Sequence, residues 1–149
     1  PFSIIRPSAV YGPMDMNRRV TQIFIEAAIN NKEIKVEGPN EKLDFTYIDD
    51  LVDGLILAAL KKKAINQTFN ITYGKGRKLI EFVNILKKYY PNLKVQIKPK
   101  DKSKPSRGTL SIKKAKKILG YKPKVNIEKG IKNYISFIKS IWLFIVIKF

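Results

Sequence analysis

With Cys 0 and His 0, the 149-residue chain has no thiol nucleophile, no imidazole base, no disulfide and no soft or imidazole metal ligand. Chemistry must rest on carboxylates, Lys, Arg, Tyr, hydroxyls or a bound cofactor, and no metal site is expected. The five arginines, Arg6, Arg18, Arg19, Arg77 and Arg107, are the groups best suited to bidentate phosphate contacts. A tyrosine with a lysine four residues on would suit proton transfer. Of the 7 tyrosines only Tyr90, with Lys94, has that spacing, and Pro91 between them breaks the helix needed to stack the pair. No catalytic residue is assigned. Asp49 and Asp50 open an apolar-periodic stretch and read as helix caps, with Asp49 the N-cap, rather than as catalytic acids.

These groups need elements to hold them. Phe2-Ser3-Ile4-Ile5 reads as a buried strand stopped at Arg6-Pro7, and Tyr11-Gly12-Pro13 as a turn. Val20, Ile23, Phe24, Ala27 and Ala28 predict a helix over 18–31. Residues 34–37 alternate like a half-exposed strand, and 43–48 are strand-like. A helix then carries Leu51, Val52, Leu55, Ile56 and Ala59 as its apolar face. Strands over 68–72 and 95–97 flank a helix over 78–90 that ends at Pro91, and 98–109 read as a polar loop. Ser111 caps a short helix that stops at Gly120 as a left-handed residue, and a last helix starts near Ile127. Alternating strands and helices predict an α/β fold.

Hydrophobic residues at 44% and aromatics at 11% predict one packed domain rather than disorder. The charge is uneven. Residues 1–60 carry 6 basic and 9 acidic groups, net −3, and 61–149 carry 24 and 3, net +21. That asymmetry raises a nucleic acid or an anionic surface as partner. However, most of the lysines occupy the polar positions of apolar-periodic segments, Arg is scarce, and no aromatic-interleaved patch is seen, so no nucleic acid is expected.

Several segments in order resemble one family. Ile5-Arg6-Pro7-Ser8-Ala9-Val10-Tyr11-Gly12-Pro13 is similar to the strand and turn after the catalytic helix of extended short-chain dehydrogenases/reductases, the NAD-dependent nucleotide-sugar epimerases and dehydratases. Gly38, then Leu43-Asp44-Phe45-Thr46-Tyr47-Ile48-Asp49-Asp50-Leu51-Val52, resembles their Gly…Arg-Asp-Phe-x-Tyr-Val-Asp-Asp-x-Val block. Thr68-Phe69-Asn70-Ile71 resembles their late strand. Arg107-Gly108, Ser111-Ile112-Lys113-Lys114-Ala115 and Leu119-Gly120-Tyr121-Lys122-Pro123 resemble their closing pattern. The resemblance runs from residue 2 to about 139.

It implies the C-terminal part of a Rossmann-type parallel sheet plus a smaller α/β substrate-binding lobe. Residues 1–13 and 38–73 would complete the Rossmann part, 14–37 and 74–125 the lobe, and 126–140 the last helix. The implied substrate is a nucleotide-diphosphate sugar, held by Arg19, Arg107, Asn70 and the strand Lys35-Val36-Glu37, whose backbone brackets the base. Arg19 and Arg107 are expected to share one hollow. Pro7 and Ser8 would touch the cofactor, NAD or NADP, bound mainly by a preceding half with its Gly-x-x-Gly-x-x-Gly loop and Tyr-x-x-x-Lys. The resemblance further implies a cytoplasmic protein, a homodimer at full length, inactive as this piece alone. Three residues depart from the family. Ala9 replaces an Asn, Leu43 the Arg before Asp-Phe, and Ser8 an aromatic beside the nicotinamide.

Two alternatives stay open: a basic module for nucleic acid or anionic surfaces, and a same-superfamily oxidoreductase with a non-nucleotide substrate. Beginning at Pro1 inside an apolar segment, the chain is expected to be cut from a longer one, without initiator Met, signal or transit peptide. The apolar tail, 141–149, is too short to span a membrane and is expected to end the last helix, with a peripheral anchor as the alternative.

Overall fold

The computed structural model describes residues 1–147, with side chains through Ile141. The chain runs β1 (Ser3–Arg6), β2 (Val10–Tyr11), α1 (Val20–Ile29), β3 (Ile34–Glu37), β4 (Lys42–Leu43) and β5 (Thr46–Tyr47). It continues through α2 (Ile48–Leu60), β6 (Gln67–Asn70), β7 (Arg77–Lys78), α3 (Leu79–Tyr89), β8 (Val95–Lys98) and α4 (Ile127–Ile147). Parallel pairs form between β1 and β6, β2 and β5, and β3 and β8, each joined through intervening helix as parallel strands require. β4 pairs antiparallel with β7. The fold is α/β.

Local chemistry accounts for most elements. In α1, Phe24, Ile25 and Ala28 fall on one face and are buried. In β3 the two-residue period puts Ile34 and Val36 inward and Lys35 and Glu37 outward. At the start of α3 the Lys78 backbone N–H donates to Glu81 Oε2 at 2.6 Å, and Pro91 lies just beyond its end. Gly120, at φ +65°, closes the π-helical turn Ala115–Leu119 in the left-handed conformation expected of it.

Four local expectations are corrected. Residue 47, not Asp49, precedes α2, and Asp49 lies inside its first turn, where a carboxylate meets the positive helix end without capping it. Residues 43–48 form two short strands and a helix start rather than one strand. Ser111 offers its carbonyl to Asn70 Nδ2 instead of capping the following turn. β1 is not buried: Ile4 is 46% exposed, and among the described residues β1 has a single strand partner.

α2 also turns a different face inward. Its buried residues are Asp50, Gly54 and Ala58, while Val52, Leu55 and Ile56 are exposed. The helix docks on its smallest side chains, and a Cβ at Gly54 would collide with Ile71 Cγ2.

Two apolar clusters form the interior. One joins β2, α1, β3, α3 and α4 through Tyr11, Phe24, Val36, Phe82 and Ile131. The other packs Phe69 and Ile71 against Ile112, Leu119 and Tyr121. Residues 112–121 thus pack against the end of the β1–β6 pair. The tail's side chains from 142 onward lie outside the described residues, as do residues 148–149; the backbone of α4 continues to Ile147.

Candidate functional site

A hollow of 440 Å³ opens between β3, the start of α1 and the loop after β8. Its floor is apolar, from Val20, Phe24, Leu43 and Leu79. The β3 alternation aims Lys35 and Glu37 at it, while Val36, at 0% exposure, belongs to the core and does not line the hollow. The loop brings Lys100, Lys104 and Arg107 to the rim. Glu37 Oε2 accepts from Lys104 Nζ at 2.7 Å, and Glu41 Oε2 pairs with Lys100 Nζ at 3.1 Å. The Lys104 ammonium is held above its ordinary range, first by the hydrogen bond to Glu37. Among the described residues Arg107 has no carboxylate partner. This hollow can hold a flat apolar body with an anionic end.

Arg19 is elsewhere. It lines a separate hollow of 360 Å³ with Pro7, Asn17 and Leu51, and its Nη1 donates to the Val10 carbonyl at 3.2 Å. The expectation that Arg19 and Arg107 share one hollow is therefore corrected. The physical reason is placement: Arg19 immediately precedes α1 and is tied back to β2, whereas Arg107 rides on the loop beyond β8. Pro7 is exposed, and Ser8 is half-buried in the turn after β1. Asn70 spends its amide on the Ser111 carbonyl at 2.9 Å and does not line the Lys35–Arg107 hollow.

Sequence reading missed the carboxylates that position these parts. Asp44 is fully buried; its oxygens accept from Thr72 Oγ1 at 2.8 Å and from the backbone N–H groups of Gly74 at 2.9 Å and Leu110 at 3.1 Å. It thereby anchors the loop bearing Arg107. Asp50, also buried, accepts from Lys124 N at 2.7 Å and Val125 N at 2.9 Å. The available signal was a carboxylate set inside an apolar run, which a fold tolerates only with full pairing. Lys100 and Lys104 were hidden among many other lysines.

Tyr11 is a packed aromatic, with Tyr47 edge-on at 5.6 Å, and burial pushes its phenol far above the ordinary range. Tyr90 sits just past the end of α3. Among the described residues no group of His, Cys, Asp or Glu could hold a metal ion, and no helix is long and apolar enough to cross a membrane.

Residues 1–72 match the model of the NAD dependent epimerase/dehydratase family. Over that stretch, just under half of its length, the chain is similar to this family. An uncharacterized protein of Methanocaldococcus jannaschii is 36% identical over 87% of this chain and 40% of its own length. The UDP-glucuronic acid decarboxylase 1 of Danio rerio is 30% identical over 83% of this chain and 30% of the relative. Among solved structures, the UDP-glucuronic acid 4-epimerase of Bacillus cereus, in complex with UDP-glucuronic acid and NAD, superposes with a TM-score of 0.86 at 26% identity. The match covers 95% of this chain and 46% of that one. The UDP-glucose 4-epimerase of Thermotoga maritima, solved with UDP-glucose, gives 0.84 at 30% identity over 94% and 46% of the two chains. The chain thus spans less than half the length of these epimerase-family relatives, and the strand pairing described above is that of Rossmann-type epimerases.

Proposed function

We propose that this chain is the nucleotide-sugar-binding portion of an NAD-dependent epimerase, dehydratase or decarboxylase. In this reading the Lys35–Arg107 hollow takes the nucleotide diphosphate. One observation carries it: an apolar floor beneath a rim of Lys35, Lys100, Lys104 and Arg107 in a single cavity. A base needs flat apolar contact, and two ionised phosphates need multi-donor cations. The β3 backbone beside the hollow would bracket the base. Likeness to epimerases solved with UDP-sugars supports the same substrate class.

The Pro7–Arg19 hollow is the wall that would face the cofactor. Neither α1, which follows Arg19, nor α2, which follows Tyr47, is opened by a glycine-rich loop. The residues present therefore fit a wall rather than a pyrophosphate cradle, and the cradle and the Tyr-x-x-x-Lys pair would come from another portion of the protein. NAD, when bound, would supply transient oxidation of the sugar; this chain would bind and orient that sugar. The full protein would act as a cytoplasmic homodimer, and this chain alone would not turn over.

Calorimetric titration with UDP tests the site. Binding is expected, weakened about tenfold or more by Arg107→Met through loss of a charge-assisted contact. Absence of UDP binding at millimolar ligand overturns the assignment. Turnover of UDP-glucuronic acid with NAD by the 149-residue chain would overturn its inactivity.

A further inference from the structure

We infer that Lys100 and Lys104 are transferable phosphate cations: a diphosphate entering the Lys35–Arg107 hollow takes them from Glu41 and Glu37 and draws the loop of residues 99–110 over itself. The inference rests on the nucleotide-site reading above and adds to it which groups grip the phosphates and what moves.

Both lysines and both carboxylate partners line the same cavity, so the exchange shifts each ammonium within the hollow rather than across the surface. Arg107 is the single arginine there. Two phosphates present more oxygens than one guanidinium fork can serve, which leaves acceptors for ammonium groups. The Lys104–Glu37 pair is the easier to break, the Lys100–Glu41 side chains being only 31% and 28% exposed. Lys104 and Glu37 side chains are 63% and 47% exposed, and exposed ion pairs contribute little against a more highly charged competitor.

The loop is built to move as a unit. One end is fixed by the β3–β8 pairing and the bond from Gly38 N to the Lys98 carbonyl at 3.0 Å. The other is fixed by Gly76 N donating to Thr109 Oγ1 at 2.7 Å and Leu110 N donating to buried Asp44. Between these anchors residues 101–109 are exposed, and a local turn is organised by Asp101, whose Oδ1 accepts from Ser103 N at 2.9 Å. The ties from that stretch to the body are Lys104 to Glu37 and, through Lys100 with its bond to Ser106, Glu41. The same two lysines are thus the latch of the free loop and the cations nearest a ligand.

Titrations of the 149-residue chain with UDP, inorganic pyrophosphate and uridine, monitored by calorimetry, test this. The variants are the double Lys100→Met/Lys104→Met and the single Glu37→Gln, with folding checked by circular dichroism. Both phosphate probes are expected to weaken about tenfold or more in the double variant, with uridine unchanged. Glu37→Gln is expected to tighten pyrophosphate about threefold, since Lys104 loses its nearer carboxylate and keeps only Asp101, 3.8 Å away. If wild type binds UDP and the double variant binds it within about twofold, the inference falls and the nucleotide site stands. An unchanged or weaker pyrophosphate affinity in Glu37→Gln overturns the latch. Binding of pyrophosphate but not UDP, still dependent on the lysines, sinks the nucleotide reading and keeps the cations. Binding of neither probe overturns both.

Discussion

Asp44 sits between β4 and β5 at 0% exposure, with its oxygens committed to Thr72, Gly74 and Leu110. Truncating it strands the buried Thr72 hydroxyl and two part-buried backbone donors and frees one end of the site loop. Asp44→Ala is therefore expected to cost about 3 kcal/mol, against less than about 0.5 for exposed Asp49→Ala, measured by urea unfolding. Ala9 presents a different residue-scale problem. It holds φ +38°, a region that strains a residue with a Cβ but that Asn tolerates through local hydrogen bonding. Ala9→Asn should stabilise by about 0.5–1 kcal/mol, seen as a higher urea midpoint at unchanged slope. The side chain that resembles the family less is also the one its backbone accommodates less well.

At the scale of elements, Arg77 on β7 donates to Glu81 of α3 and Glu128 of α4, each at 2.9 Å, and so ties the β7–α3 junction to α4, 51 residues further along the chain. Glu81 is held below its ordinary value of 4.5 by the Lys78 backbone N–H first, against partial burial, and then by Arg77. Partial burial pushes Glu128 up, but its helix-end backbone N–H and Arg77 outweigh this, leaving it lowered from 4.5. A carboxylate whose folded pKa is depressed stabilises fully above its unfolded pKa, and that contribution disappears as pH falls through the folded value. The urea midpoint should thus lose this contribution below about pH 4.5, and Arg77→Met should flatten that acid limb. Both carboxylates are more than one-third exposed, so solvent keeps the effect modest. α1, β3 and α3 were legible from period alone, since each buries its apolar stripe. α2 was not, because Gly54 makes close approach to Ile71 and Tyr121 the better contact and leaves the larger apolar residues facing out.

Across the whole molecule, those outward residues join an exposed apolar surface. Phe2 and Ile4, before and on β1, are 63% and 46% exposed, Ile56 and Leu60 on α2 are 50% and 79% exposed, and β1 has one strand partner among the described residues. Such a face and a free strand edge favour association. The isolated 149-residue chain is expected to self-associate in sedimentation velocity, and Ile56→Lys/Leu60→Glu to shift it toward monomer. A sharply cooperative melt of a wild-type monomer would contradict this.

Composition and motif order alone determined that the chain is α/β, lacks thiol and imidazole chemistry, and resembles the epimerase/dehydratase family, because these depend on residue types and local periods. They also singled out Lys35, Glu37 and Arg107, which tertiary structure brings around one hollow. Only the fold decided that Arg19 belongs to another hollow, that Asn70 and Asp44 hold backbone in place, and that Lys100 and Lys104 stand out from thirty basic residues. Proximity across more than sixty residues, as between Glu37 and Lys104, comes from the pairing of β3 with β8 and leaves no trace in local spacing.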